Sequence, residues 1–520
     1  MIFSNSVKNN LREILLNNLG ISVLFLFGFF LRVYGLGLKS LWFDEAWVLL
    51  ESQKALAVLF NVNTEGIHPP LYRLIMHFCL HLGHTELLVR MPSAIFSAAS
   101  IIVGYKIAML IFNKRVALCT AFFIAVSPFH IYYAQEVKGY SLFFFLSLLS
   151  VYLFLRAIKS DRTGLWLGYT FLTVLSIYTH YFGIFNILAQ NLFLMFSYKR
   201  YGKSIFRKWM VVQVLTFLLF APWLFVFIEH FKRVVSTFWI PTITVKNVSN
   251  IFINFTAGYY TLNLNLAFLQ FLIGIIFLCG LWSLIFSRST DEERINRNPS
   301  EGLLIALSYL LIPVIILVFS KIIRPLYLDR ALISISFLYY IVLAKGIEFF
   351  RKNKIIFTSA MFLLTIIIAI SLNNYYFEKN FRFSIGVPSV TKQFRQAARY
   401  IASSYRNPDI IMLSHYSCWP SFQYYLPDNI KGRLYLDGPA SIIDKNDKYS
   451  EACFKQTFNF KTINMGEFKK QADVGVWVVC SHWSDLPFIS KGLQEWMNVY
   501  KKKMSFKSDR FRGMDVYYFN

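Results

Sequence analysis

The most constraining feature of this sequence is a recurring series of apolar stretches, each about 20 residues long, the length that an α-helix needs to cross a bilayer. Of the 520 residues, 56% are hydrophobic and only 16% are charged, whereas soluble proteins carry about 25% charged residues. We predict a polytopic α-helical membrane protein with about eleven transmembrane helices. The predicted spans lie near residues 18–37, 88–112, 116–133, 140–157, 164–179, 181–198, 209–228, 263–287, 302–320, 327–344 and 355–373.

Basic residues are distributed unevenly among the loops between these spans. The loops rich in Lys and Arg are residues 113–115, 156–162, 198–208, 288–297 and 345–354. Cytoplasmic loops collect such residues, so this side is predicted to be the cytoplasm of a cell, or inner, membrane. The N-terminus is then cytoplasmic, and an odd number of spans places the C-terminus outside. Topology accounts first for the net charge of +25, so the expected partner is the lipid bilayer and not nucleic acid.

The composition changes from about residue 378. Apolar residues have helical spacing in the segment 389–405, and short strand-like runs follow at 409–414, 432–438, 474–480 and 515–520. Mixed helix and strand patterns predict a small extracytoplasmic α/β domain over residues 378–520, after a membrane domain over residues 1–377. His415 and His482 follow predicted strands, and surface positions are the commoner outcome for such histidines. The six cysteines form no C-x-x-C pair, so no zinc or redox motif is indicated.

Polar clusters recur at the ends of spans on the predicted outer side. The first outer loop, residues 38–87, opens with SLWFDEAWVLL, which carries Asp44 and Glu45, and its aromatic content predicts short interfacial helices. Further clusters are EGIHPPLY at 65–72, YYAQEVKGYS at 132–141, YTHYFG at 178–183 and KIIRPLYLDR at 321–330. Ionisable groups at bilayer depth are costly and usually functional. We therefore predict that these segments line one cavity.

Acids beside cations suit a reaction that deprotonates a nucleophile and releases an anion. A carboxylate can act as general base on a hydroxyl or amine, and Arg and Lys can hold a phosphate. The chain has no glycine-rich nucleotide-binding pattern, and the outer side of the membrane has no nucleotide-sugar pool. An activated group would therefore arrive on a lipid, and a polyprenyl phosphate fits because its head lies at the interface.

Four motifs in this order resemble those of the integral-membrane GT-C glycosyltransferases. They are LWFDEAWVLL, HPPLYRLI, SPFHIYYAQEVKGYSL and YTHYFG. More narrowly, they resemble the branch that includes protein O-mannosyltransferases and the aminoarabinose transferase of lipid A. The resemblance covers about residues 15–350 and is strongest over residues 40–185.

This resemblance implies a GT-C fold and transfer of a sugar from a polyprenyl-phosphate donor to a lipid, glycan or protein acceptor, with inversion. Asp44 matches the catalytic base of the family, and Glu136 matches a second acid in the next outer loop. His68 stands where relatives have a basic residue beside the donor phosphate. Lys138 replaces an expected arginine, which keeps the charge but loses the bidentate fork.

The other candidates are assigned to the donor phosphate or the substrate. Together with His68 and Lys138, they are Glu45, Tyr72, Tyr140, His180, Arg324, Tyr327 and Arg330. Structural alternatives stay open for several of them: Glu45 could orient a helix, Arg324 and Arg330 could reach lipid headgroups, and His180 could be a structural residue at a helix end. No cofactor is certain. Some members of the resembled branch carry a divalent metal, but no clear ligand set appears here.

Two rival functions stay open beside the enzyme. A transporter or flippase of a lipid-linked sugar would need discontinuous spans that meet at the midplane. A scaffold or receptor would not need acids and cations gathered at span ends. The identity of the sugar and of the acceptor does not follow from the sequence.

Overall fold

The fold is known from a computed structural model of the chain. It describes residues 5–60, 68–237, 244–260, 266–286, 299–323, 325–382, 392–437, 461–470, 473–483, 486–487, 489–503 and 506–520. The first three quarters are helical. The helices there are Asn5–Val33, Phe43–Ser52, Leu56–Leu59, Leu71–Leu80, Glu86–Ile111, Lys114–Val126, Pro128–Ala134, Tyr140–Ser160, Thr163–Thr179, Gly183–Phe196, Tyr198–Thr237, Val245–Ala257, Leu266–Phe286, Pro299–Ile322, Ser336–Phe349 and Lys354–Tyr376.

Each predicted span contains helix in the structure. Within the described residues, six helices are long and apolar enough to cross a membrane, and the bent pair Lys114–Val126 and Pro128–Ala134 makes a seventh if it is one span. Shorter apolar helices such as Gly183–Phe196 and Ala306–Ile322 coincide with other predicted spans. The chain is therefore an integral membrane protein with a polytopic helical architecture.

One predicted span begins later than expected. The segment from Pro325 to Leu332 forms coil and turns, a 3₁₀ turn covers Ile333–Ile335, and the helix Ser336–Phe349 starts only there. Asp329 Oδ1 accepts the backbone N–H of Arg330 at 2.7 Å, a local bond that competes with helix formation. The sequence predicted a continuous span from residue 327, because the residues that follow it are mostly apolar.

A broken helix leads into the loop of residues 135–139. The helices Lys114–Val126 and Pro128–Ala134 meet at an angle of 53°. Because proline has no backbone N–H, Pro128 leaves the carbonyl of Ile124 without its helical donor. The fully buried Arg32 fills this need: its guanidinium donates to the carbonyls of Ile124 and Ala125 at 2.9 and 2.8 Å. The break is thus closed by protein groups.

The described part of the loop of residues 38–87 contains the short helices Phe43–Ser52, Leu56–Leu59 and Leu71–Leu80. The helix Leu71–Leu80 follows the proline pair and buries Tyr72, Met76 and Leu80, whose spacing of four places them on one face. This face anchors the loop against the membrane helices.

In the described residues, the C-terminal part contains a seven-stranded sheet. Six strands follow the order β3-β2-β1-β4-β7-β6, and β5 pairs with β4 beside this path. The strands are β1 Ile410–Leu413, β2 Leu434–Asp437, β3 Lys461–Ile463, β4 Val476–Trp483, β5 Leu486–Pro487, β6 Phe506–Phe511 and β7 Met514–Phe519. β1 to β4 are mutually parallel, whereas β5, β6 and β7 add antiparallel pairs. The helices are Phe394–Ser404, Trp419–Tyr425, Asp428–Lys431 and Lys491–Lys503.

This sheet confirms the predicted α/β class. β1, β2, β4 and β7 coincide with the predicted strands. β3, β5 and β6 had no prediction, because β3 and β5 are only three and two residues long and β6 has the polar sequence FKSDRF.

The C-terminal domain rests on the first outer loop. Tyr425 Oη accepts the backbone N–H of Leu41 and donates to Glu86 Oε1, both at 2.7 Å. Arg395 Nη1 lies 2.8 Å from the same Glu86 oxygen. Because Leu41 is buried just before Asp44, these contacts place the α/β domain beside the acidic motif.

Candidate active site

Asp44 and Glu45 lie in the first turn of the helix Phe43–Ser52 but occupy different environments. The Asp44 side chain is 25% exposed and that of Glu45 only 1%. Successive helical residues are turned by about 100°, so one acid can face inward while its neighbour stays accessible. Phe43 and Trp47 on the same helix pack against the core of the C-terminal domain.

Glu45 is fully engaged by protein donors. Its carboxylate receives Arg90 Nε at 2.8 Å and Nη2 at 2.7 Å, a bidentate ion pair. The backbone N–H groups of Val137 and Trp42 add bonds of 3.0 and 3.3 Å. The predicted contact of Glu45 with substrate is therefore replaced by the structural alternative, in which Glu45 orients the helix that carries Asp44.

Arg90 extends this anchor to the start of the loop. Its guanidinium also donates to the carbonyls of Leu36, Lys39 and Ser40 at 2.9, 2.8 and 3.2 Å. One buried arginine thus joins the helix Glu86–Ile111 to the segment before Asp44. Removing one partner of such a buried pair typically costs about 3–5 kcal/mol.

The second acidic loop, residues 135–139, is held from both sides. Gln135 Nε2 donates to the carbonyls of Arg32 and Tyr34 at 3.0 and 2.8 Å, and Gln135 Oε1 accepts from Tyr375 Oη at 2.7 Å. The bond from Val137 to Glu45 connects this loop to the first. The side chains of its charged residues are therefore displayed from a fixed backbone.

Lys138 brings its ammonium to Asp44. Lys138 Nζ lies 3.4 Å from Asp44 Oδ2, and the lysine side chain is 12% exposed. The Lys138 carbonyl accepts from Ser93 Oγ at 3.3 Å. This pair is the accessible part of the site, where a substrate group can approach a carboxylate and a cation together.

Glu136 has the opposite character to Asp44. It is 7% exposed. Burial, with further contributions from the charges of Glu45 and Asp44, raises the pKa of Glu136 to about 8, although a hydrogen bond with Tyr132 and the charge of Arg330 oppose the shift. At neutral pH Glu136 therefore carries a proton and can donate a hydrogen bond.

Histidine, tyrosine and arginine side chains complete what we call the Asp44 cluster. It consists of Asp44, His68, Glu136, Lys138, Tyr140, His180 and Arg330. The His180 ring centroid lies 5.4 Å from that of His68 and 5.8 Å from that of Tyr140. The Arg330 guanidinium lies 5.9 Å from the Tyr140 centroid and interacts electrostatically with Asp44. The structure thus gathers residues from five predicted segments.

The two histidines of the cluster are neutral. Burial, together with the charges of Lys138, Arg330 and Arg73, lowers the pKa of His68 well below its usual value. Burial and the charge of Arg330 lower the pKa of His180 to about 3. At neutral pH they offer hydrogen bonds and not charge, so Lys138 and Arg330 supply the positive charge of the cluster.

The remaining candidates have other surroundings. Tyr72 is buried with its hydroxyl 2.7 Å from Ser93 Oγ, and its side chain packs under Gly139. Tyr327 is 5% exposed, and its hydroxyl has no hydrogen-bond partner among the residues that are described. Arg324 lies outside the described residues.

The cluster does not resemble a metal site. In the described part of the chain, no three His, Cys, Asp or Glu residues group together as ligands. The cation that lies beside Asp44 is the ammonium of Lys138, 3.4 Å from Oδ2.

Sequence reasoning missed the buried arginines that hold the site together. Besides Arg90 and Arg32, Arg73 forms an ion pair of 2.5 Å with the buried Glu51. Two of the three fall in or beside predicted spans, and a charge inside an apolar span is itself a signal of a role. Their partners could not be named, because these lie up to 93 residues away.

Residues 67–225 match the family model described as dolichyl-phosphate-mannose-protein mannosyltransferase. No curated protein matches the chain in sequence. In structure, it is similar to ArnT from Cupriavidus metallidurans, with a TM-score of 0.59 and 12% identity over 96% of this chain and 97% of ArnT. The chain has the fold of the GT-C membrane glycosyltransferases.

The GT-C fold here is shared with a second, larger enzyme. The oligosaccharyltransferase of Archaeoglobus fulgidus matches with a TM-score of 0.51 and 12% identity over 88% of this chain and 67% of that chain. Both matches span the membrane helices and the C-terminal part, so the resemblance read from four outer-face motifs extends to the whole architecture.

Proposed function

We propose that this chain is a glycosyltransferase that moves a sugar from a polyprenyl-phosphate donor to an acceptor on the extracytoplasmic side of the membrane. The observation that carries the proposal is the Asp44 cluster: an accessible carboxylate beside two cations and a buried acid, on a GT-C fold. Two acids with such different environments suit two different roles in one reaction.

In the proposed step, Asp44 takes the proton of an acceptor hydroxyl. The oxygen attacks the anomeric carbon, the bond from that carbon to the phosphate oxygen breaks, and polyprenyl phosphate leaves with the bonding electrons. Attack opposite to the leaving group inverts the anomeric configuration. Asp44 fits the base because it is the exposed acid, whereas the protonated Glu136 fits a hydrogen-bond donor to the sugar or the acceptor.

Lys138 and Arg330 would hold the leaving phosphate, with His68 and His180 as neutral donors. Positive groups fixed where negative charge develops lower the barrier of such a step. Two solved structures of similar fold are consistent with this type of ligand: ArnT with undecaprenyl phosphate, and the archaeal oligosaccharyltransferase AglB with a dolichol-phosphate.

A transporter of a lipid-linked sugar would use a broken helix, and this chain has one. The carbonyls freed at Pro128, however, are bonded to Arg32 and are not open to a substrate or ion. The charged cluster lies instead beside the C-terminal domain. The geometry therefore favours an enzyme.

The deciding experiment is an assay of the purified full-length protein with radiolabelled polyprenyl-phosphate sugars and a membrane extract as acceptor. We expect label in a new covalent product, from one donor of a panel of hexoses and pentoses. Passage of unchanged donor across proteoliposomes without a product would overturn the proposal in favour of transport.

A further inference from the structure

A second cluster lies in the C-terminal domain, at the carboxyl ends of β1 and β4. The sheet path runs from β1 to β2 on one side and to β4 on the other, so the strand order reverses at this point. In parallel α/β sheets, ligands bind in the crevice outside the strand ends where the order reverses. Ser414 and His415 directly follow β1. Ser481 lies near the end of β4, where it forms the last pair of that strand with β7.

Lys392 places its ammonium in this crevice. Its Nζ donates to Ser481 Oγ at 2.6 Å, and its methylene chain runs past Gly513, where a Cβ would lie 2.7 Å from Lys392 Cγ. Gly513 has φ +78°, a conformation that also favours glycine. The backbone thus leaves a path for this lysine.

The ammonium has no acidic partner within the part of the chain that the structure describes. Burial lowers the pKa of Lys392, because a buried ammonium loses the stabilisation that water gives its charge. Placing a charge in such a site is unfavourable unless something pairs with it. A bound anion would supply the missing partner.

The groups near Lys392 include hydroxyl groups and an imidazole, which can donate hydrogen bonds. The hydroxyl of Ser414 accepts the N–H of Ser481 at 3.1 Å, which leaves the hydroxyl hydrogen for another partner, and Ser417 Oγ lies 2.7 Å from His415 Nδ1. His415 is 7% exposed, so the expected surface position of this histidine was wrong. We call Lys392, Ser414, His415, Ser417 and Ser481 the Lys392 cluster.

The Lys392 cluster adjoins the helix that carries Asp44. The rings of His415 and Tyr416 lie 4.3 Å apart, and Tyr416 meets Phe43 edge to face at 6.0 Å. Phe43 is the residue before Asp44. A group bound at Lys392 would therefore belong to a molecule close to the Asp44 helix.

We propose that the Lys392 cluster binds a phosphate group, either free or on a lipid, as a site distinct from the Asp44 cluster. An ammonium with several hydroxyl donors suits a tetrahedral oxyanion, for which lysine acts as a point charge. The site itself does not depend on the proposed glycosyl transfer. If that transfer holds, the bound phosphate lies beside the helix that carries Asp44.

The test measures the dissociation constants of two probes for the full-length protein in detergent: inorganic phosphate, and micelles that contain phosphatidic acid. We expect Lys392→Met to weaken at least one probe about tenfold or more. Lys461→Met, at an exposed lysine on β3 of the same sheet, should leave both unchanged. Loss with inorganic phosphate identifies a soluble phosphate group, and loss with phosphatidic acid alone identifies a lipid headgroup.

Two further variants keep the test decisive. If Lys392→Met does not fold, Ser481→Ala removes one hydroxyl from the cluster and should weaken the same probe several-fold. Lys138→Met removes the cation of the Asp44 cluster. Equal binding by wild type and both Lys392→Met and Ser481→Ala, or loss of binding in Lys138→Met alone, would overturn the proposal.

Discussion

The Asp44 cluster and the Lys392 cluster lie on the two sides of one interface and differ in their balance of charge. Around Asp44, the cations Lys138 and Arg330 lie near acids. A carboxylate there can accept a proton, and the cations can hold a negatively charged group. Around Lys392, within the described residues, one cation faces only hydroxyl, thiol and imidazole groups. The first arrangement suits chemistry and the second suits binding.

The largest expected effect separates the two clusters directly. Asp44→Asn should reduce the rate of transfer by about 10³-fold or more, since a general base contributes about 10²–10⁴ and the ion pair with Lys138 is also lost. The control is Asp161→Asn, which changes a partly exposed carboxylate paired with Lys208 and should keep full activity. If folded Asp44→Asn protein transferred the sugar at the normal rate, the proposal that the reaction takes place at the Asp44 cluster would be wrong.

The next effect concerns the anchor beneath Asp44. Arg90→Ala should lower the free energy of unfolding by about 3–5 kcal/mol, because it leaves the Glu45 carboxylate buried without its partner. The double variant Glu45→Gln with Arg90→Met removes both charges and should lose less. Thermal unfolding in detergent measures both, and an equal loss in the two proteins would mean that the ion pair is not the anchor.

A smaller effect tests the proton on Glu136. With its pKa at about 8, transfer by the wild type should fall as pH rises through about 8. Glu136→Gln, which cannot lose this proton, should lack that decline while its rate at pH 7 changes by about tenfold or less. A pH profile that is the same in both proteins would exclude the protonated acid as the active form.

The same shift has a consequence for stability. The folded pKa of Glu136 is raised above its ordinary value of 4.5, so between these pH values the folded chain holds a proton that the unfolded chain has lost. The contribution of protonated Glu136 to the free energy of unfolding is complete below about pH 4.5 and is lost as pH rises through about 8. This slope should be weaker in Glu136→Gln.

The smallest expected effect lies at the interface between the two clusters. Tyr425→Phe removes the hydroxyl shared by Leu41 and Glu86 and should cost about 1–2 kcal/mol of unfolding free energy. Tyr424→Phe, which loses only an exposed bond to the His84 carbonyl, is the matched control. If both variants unfold alike, the C-terminal domain is held by other contacts.

Much of this was readable from local pattern. The membrane helices, the short helices of the first outer loop and the α/β class all follow from the period of apolar residues, which depends on neighbours along the chain. The candidate residues Asp44, His68, Glu136, Lys138, Tyr140, His180 and Arg330 also come together as expected, because span ends on one side share one surface.

The sequence by itself determined the class of protein, the fold and the segments that form the site. Only the tertiary structure decided the roles of individual residues within them. Asp44 and Glu45 are indistinguishable as neighbouring acids, and they differ because Arg90, 45 positions away, neutralises one and not the other. For the same reason, Glu136 is protonated at neutral pH and Lys392 lacks an acidic partner among the described residues. Charge states depend on burial and on groups far away in the chain, which local sequence does not encode.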